Sequence, residues 1–178
     1  MTAEERTLLK MVSFLLQYPE AGLLDSLGSL EATVSEMSNP GSRAMCRDFL
    51  NHLRNMPLLR LQESYSATFD LRPSTSLDLG YHRWGEGKER GGALARLASL
   101  YLEAGYEMTG SVLPDHLPLL LEFLSLCPEE MALEIIKEYG SQVATLASRL
   151  VEDGSPYAAL LRIVSETLTN PSPKPAGV

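Results

Sequence analysis

Residues 128–150 read PEEMALEIIKEYGSQVATLASRL, and this run decides the fold class. Pro128 followed by Glu129 and Glu130 is a helix start. Proline's fixed φ suits the first turn, and carboxylates there face the positive end of the helix dipole. Ile135, Ile136, Tyr139, Val143, Leu146 and Leu150 then recur at three- and four-residue steps, one face of an α-helix. Gly140 lies inside the run, where it could bend or split the helix. Gly154-Ser155-Pro156 closes it, and Leu160, Leu161, Val164 and Leu168 give a last helix the same one-sided pattern.

The pattern repeats toward the N-terminus. Leu113-Pro-Asp-His-Leu-Pro118 leads into an apolar helix running to about Leu126, with Asp115 placed to cap it and Pro118 tolerated in its first turn. Leu94, Leu97, Tyr101 and Ala104 mark a helix between Gly91-Gly92 and Gly105, and a loop through Gly110 follows. Leu58, Leu61, Tyr65 and Phe69 mark another, directly after Pro57, which ends one carrying Met45, Phe49, Leu53 and Met56. Leu23, Leu27, Leu30, Val34 and Met37 predict a single helix ahead of Asn39-Pro40-Gly41. Thr2 and Glu5 have capping-box spacing at the head of a first helix that carries Leu8, Val12 and Leu15, and Tyr18-Pro19 stops it. Leucine outnumbers its β-branched relatives, 33 Leu against 7 Val and 3 Ile. Leucine keeps its rotamer freedom in helices, whereas Val and Ile favour sheets, so composition agrees with periodicity. The expectation is an all-α, single-domain bundle of about seven or eight helices over residues 1–168. Within it lies a long irregular loop near 70–90, and a Pro-rich, disordered tail follows over 169–178.

The length of 178 residues suits one domain, and 44% hydrophobic with 21% charged residues is a globular balance. The formal net charge of −8, with no Lys/Arg run, argues against nucleic acid and anionic membrane as partners. Cys46 and Cys127 stand far apart with no CxxC, which suits structural thiols in a reducing compartment. The opening Met-Thr-Ala-Glu-Glu-Arg puts acids where a signal peptide needs bases. No apolar run is long enough to span a membrane. The reading is cytoplasmic, without membrane insertion.

Catalytic signatures are missing: there is no GxSxG, HExxH or GxxxxGK[ST], and His52, His82 and His116 share no metal-ligand spacing. Gly85-Glu-Gly-Lys-Glu-Arg-Gly-Gly92 superficially resembles a phosphate loop, but it follows no strand and its two glutamates oppose an anion. Three features remain. Asp115-His116 sits between two prolines, either as a cap beside a surface histidine or as a positioned pair at the mouth of a groove. Glu122 lies inside an apolar helix, where its carboxylate must face solvent, a partner or a cation. Asp70 ends the Tyr65–Phe69 helix, where an acid opposes the dipole.

Tyr65-Ser-Ala-Thr-Phe-Asp-Leu71, then Thr75 and Leu79, Arg90-Gly91, Tyr101, Gly105, Leu113-Pro-Asp-His-Leu-Pro118 and Leu121-Glu-Phe123, resemble in order and spacing the NarJ-type assembly chaperones of respiratory nitrate reductase. The resemblance is strong over 60–126 and extends through the helical pattern to nearly the whole chain. One departure is Asp78-Leu79, where family members often carry Tyr-Leu. The resemblance implies a cytosolic, all-helical, non-enzymatic chaperone. Its partner would be the catalytic subunit of a molybdenum reductase, held through a basic, amphipathic N-terminal segment. It would support insertion of the molybdenum bis-guanine-dinucleotide cofactor and delay membrane docking. No cofactor would be bound permanently; transient contact would come through the client, and cofactor biosynthesis proteins are further partners it allows. The alternative is a sister chaperone for a selenate, chlorate, dimethyl sulfoxide or trimethylamine N-oxide reductase. The expected partner-binding residues are Tyr65, Asp70, Arg90, Asp115, His116, Leu117, Leu121 and Glu122. The expected catalytic and metal-ligating residues are none.

Overall fold

The computed structural model describes residues 1–108 and 112–169. The expected 169–178 tail therefore lies outside the described residues except for Thr169, which ends the last helix. Among the described residues ten α-helices run in chain order: α1 (Ala3–Leu15), α2 (Ala21–Asp25), α3 (Leu27–Ser35), α4 (Pro40–Asn55), α5 (Leu58–Tyr65), α6 (Leu79–Trp84), α7 (Lys88–Glu103), α8 (Leu117–Leu126), α9 (Glu129–Glu152) and α10 (Ala158–Thr169). No β-strand forms among the described residues; a single antiparallel bridge joins Asp78 to His116.

Local signals in the sequence account for most of these boundaries. The capping box at the head of α1 is formed: Thr2 Oγ1 accepts from the Glu5 amide at 3.2 Å, and the Thr2 amide donates to Glu5 Oε2 at 2.8 Å. Asn39 Oδ1 caps α4 by accepting from the Gly41 and Ser42 amides, with Pro40 in the first turn. Gly140 does not split α9, which runs unbroken through 24 residues. Its buried face carries Ile135, Tyr139, Val143, Leu146 and Leu150, and only Ile136 of the predicted stripe lies partly exposed. That face packs along α10, α10 also meets α4 and α1, and α1 packs against α8, so one core runs through the molecule.

Three boundaries differ from the expectation. The predicted helix over Leu23–Met37 is two helices, α2 and α3, parted at Ser26. Ser26 Oγ donates to the Gly22 carbonyl at 2.7 Å, and its amide is shared between the Gly22 and Leu23 carbonyls. Side-chain competition of this kind bends helices. Helix α7 starts at Lys88, ahead of Gly91-Gly92, because Arg90 in its first turn is anchored by the buried carboxylate of Asp115, described below; tertiary pairing overrides the poor propensity of the two glycines. The segment near 70–90 is ordered rather than a long irregular loop. A π-helical turn over Ser66–Asp70 extends α5, a 3₁₀ turn covers Pro73–Thr75, and α6 follows. Fully buried Thr75 fixes the 3₁₀ turn by donating its hydroxyl to the Thr68 carbonyl. The split at Ser26 and the short helix α6 raise the count above the seven or eight expected.

Candidate functional site

Helix α8 is the most apolar helix, and one side of it is not covered by the core. Leu117, Leu120, Leu121 and Leu124 are buried, while Leu119 and Glu122 are partly exposed and Leu126 is half exposed. Along that side runs a groove of about 620 Å³. The chain just after α1 supplies Gln17 and Tyr18, the π turn supplies Asp70, α7 supplies Tyr101, and the chain after α7 supplies Tyr106, Glu107 and Met108. Its floor is aromatic: the Tyr101 and Phe123 rings lie 4.4 Å apart, and Tyr106 meets Phe123 edge-on at 5.5 Å. Its rim carries the carboxylates of Asp70, Glu107 and Glu122, with His116 at one end. Among the described residues that line it there is no lysine or arginine.

The wall behind His116 is a polar cluster that tertiary folding assembles from three segments. Asp115 is fully buried. Its Oδ2 accepts from the Gly80 amide at 2.8 Å, from Arg90 Nη2 at 3.2 Å and from Arg90 Nε at 3.3 Å. Arg90 Nη2 also approaches Asp78 Oδ2 at 3.6 Å, and Asp78 Oδ1 pairs with His116 Nδ1 at 2.9 Å. The backbone bridge completes the clamp: the Leu79 amide donates to the Asp115 carbonyl at 3.1 Å, and the Leu117 amide to the Leu77 carbonyl at 2.8 Å. Burial raises the Asp115 carboxyl above the usual carboxylate range, and Arg90 pulls it back. The His116 hydrogen bond holds Asp78 below that range. Gly80 is required by packing, since a Cβ there would stand 2.5 Å from Asp115 Oδ2.

The predicted residues thus divide. Asp70, His116, Glu122 and an edge of Tyr65 line the groove. Tyr65 is otherwise structural: its hydroxyl donates to the Leu16 carbonyl at 2.9 Å, and its ring packs among Tyr18, Phe69 and Tyr157. Leu117 and Leu121 are fully buried and hold α8 in the core rather than facing the groove. Arg90 and Asp115 also do not reach it; they are the clamp that sets His116 in place. Asp115 does not cap α8, which has no side-chain cap; its carboxylate serves the first turn of α6 instead, through the Gly80 amide. Glu122 meets a cation, Lys10 of α1, in an exposed ion pair. Sequence reasoning missed Tyr18, Tyr106, Glu107 and Met108, which reach the groove only through the packing of α1 and α7 on α8. Asp78 carried a signal as a departure from the family pattern.

Among the described residues no group of three or more His, Cys, Asp or Glu could hold a metal ion. Cys46 and Cys127 are buried free thiols, and burial pushes Cys46 up to about 11.

The comparisons agree over most of the chain. Residues 36–162 match the family model described as the nitrate reductase delta subunit. The chain is 37% identical over 158 residues to the nitrate reductase molybdenum cofactor assembly chaperone NarJ of Escherichia coli (strain K12), covering 88% of this chain and 67% of that one. It is 33% identical over 169 residues to the protein assigned as the corresponding chaperone NarJ of Bacillus subtilis (strain 168), covering 95% and 92%. Among solved structures, a candidate redox enzyme maturation protein from Archaeoglobus fulgidus superposes with a TM-score of 0.67 at 24% identity, over 92% of this chain and 93% of that chain. The last likeness shows the all-α fold.

Proposed function

Because the chain belongs to the nitrate reductase delta subunit family of NarJ-type assembly chaperones, we propose that it is the dedicated chaperone of a respiratory nitrate reductase and holds the catalytic subunit by its N-terminal segment. The groove over α8 is the observation that carries this reading. An aromatic floor suits the apolar face of an amphipathic helix, and the carboxylates of Asp70, Glu107 and Glu122 on the rim suit a basic polar face. Charge of one sign around an apolar groove speeds the approach of an oppositely charged segment and sets its orientation. The protein acts by binding rather than by chemistry. It keeps the client open for its molybdenum bis-guanine-dinucleotide cofactor, touching the cofactor only through the client, and withholds the client from the membrane until loading is complete. Cofactor biosynthesis proteins are the further partners of that step. The protein works in the cytoplasm; among the described residues no helix is long and apolar enough to cross a membrane.

Calorimetry with a peptide of about 15–25 residues, long enough to lie along α8 as a helix, tests the reading. Binding at micromolar affinity or tighter, about −8 kcal/mol, is expected. It weakens with salt and with Glu122→Gln or Asp70→Asn. A folded protein that binds no such peptide would remove the nitrate reductase segment as client, and peptides from sister molybdenum reductases would be tried next.

A further inference from the structure

A second depression lies beside the groove, and its charge is of the opposite sign. It is formed between α1, α3 and the C-terminal end of α8, with a volume of about 510 Å³. Met11, Phe14 and Leu30 make it apolar, and among the described residues its only charged lining residues are the cations Arg6 and Lys10. Half-exposed Leu126 lines both depressions, so the two are continuous across that side chain. Glu122 belongs to the groove and Lys10 to the second hollow, and these two side chains, each about half exposed, bridge the boundary as an ion pair. Arg6 donates to the Leu124 and Cys127 carbonyls at 3.4 and 2.9 Å, which fixes it at the negative end of the α8 dipole while leaving its charge uncancelled by any carboxylate in the hollow.

We propose that the second hollow receives the continuation of the client segment, and that this continuation carries a carboxylate. The inference rests on the groove reading above. A segment with cations over the groove and an acid beyond Leu126 would meet opposite charge on both sides of the boundary. The Lys10–Glu122 bridge is the latch between them. In the free protein each side chain satisfies the other; in the complex Glu122 takes a client cation and Lys10 takes the client carboxylate. Both side chains are wet in the free state, so exchanging partners costs little desolvation. The charge pattern also sets direction, because a segment laid in reverse would put acid against Glu122 and cation against Lys10.

Two synthetic peptides from the N-terminus of a nitrate reductase catalytic subunit test this, one of about 15 residues to fill the groove alone and one of about 30 to cross Leu126. Calorimetry with the whole chain is expected to show the longer peptide binding about threefold tighter or better, the worth of one exposed charge pair plus the apolar contact. Lys10→Met should reduce that advantage, leaving only what the apolar lining and Arg6 supply. It should leave the short peptide bound at least as tightly as before, since Glu122 is freed. Replacing the acidic residues of the longer peptide's second half by their amides should cost about as much on the native chain and less on Lys10→Met, where only Arg6 remains. Equal affinity of the two peptides, with Lys10→Met changing neither, would overturn the proposal and leave the groove reading intact. Failure of both peptides to bind would overturn both. Concentration-dependent dimerisation lost in Lys10→Met would assign the hollow to a second copy of this chain and overturn it too.

Discussion

Replacing Asp115 separates a residue that builds the site from one that touches the partner. Asp115 is fully buried, and its carboxylate satisfies the Gly80 amide at 2.8 Å and the Arg90 guanidinium at 3.2 and 3.3 Å. Asp115→Ala removes both contacts. Arg90, whose side chain is only 14% exposed, keeps Asp78 at 3.6 Å as a weaker partner. Breaking a buried pair costs about 3–5 kcal/mol, and an orphaned buried amide about 1–3 kcal/mol. Because Asp78 retains part of the pairing, the lower end applies, about 3 kcal/mol, or roughly 6–12 °C in melting temperature for a chain of this size. Asp115→Asn keeps an acceptor for Gly80 and is relieved of burying a charge, so it should cost less, about 1–2 kcal/mol. Urea denaturation followed by far-ultraviolet circular dichroism measures both variants. Calorimetry with the client peptide, well below each melting point, measures the site. Peptide affinity should stay within about twofold, under half a kcal/mol, because no Asp115 atom is exposed and His116 keeps its own hydrogen bond to Asp78. An Asp115→Ala protein that melts with the native chain but no longer binds would refute the clamp and make Asp115 a direct contact.

Gly140→Ala should stabilise the protein by about 0.5–1 kcal/mol, read as a higher urea midpoint, because α9 is unbroken there and the added Cβ would meet only Ile136 Cγ2 at an ordinary 3.8 Å. Burial, and then the neighbouring Arg149, hold His82 below its ordinary pKa against the opposing Ser76 carbonyl. On acidification the unfolded chain takes up that proton first. The contribution is therefore complete above about pH 6.5 and is lost as pH falls through the lowered folded value. Urea midpoints between pH 8 and pH 5 should show this decline, and His82→Gln should reduce it; identical slopes would refute the assignment. Burial pushes the Cys46 thiol up to about 11 and raises Cys127 as well, so a thiol-reactive chromophore should label neither in the native protein and both once urea unfolds it.

Local chemistry was readable wherever a residue acts on its own helix. The Thr2–Glu5 capping box, Pro40 and Pro118 in first turns, and the stripe from Ile135 to Leu150 operate within a few residues of themselves, and the all-α class follows from them and from the excess of leucine over Val and Ile. Side-chain partners were less readable, because periodicity fixes a face and not what lies opposite it. Glu122 was visible as a charge in an apolar helix, yet its partner Lys10 comes from α1, 112 residues away. Asp115 and His116 looked like one functional pair, and packing splits them. Their backbones alternate across the bridge to residues 77–79, so Asp115 turns inward to Gly80 and Arg90 while His116 turns to Asp78 and the groove. The segment near 70–90 looked irregular because its order comes from that bridge, from buried Thr75 and from the Arg90 clamp, all contacts beyond the reach of a helical repeat. Sequence by itself thus determined the helices, their apolar faces and the acidic balance, since these depend on residues near one another in the chain. Only the tertiary structure decided that α1, the π turn, α7 and α8 enclose one groove with acids on its rim, because that groove exists only where segments distant in sequence meet.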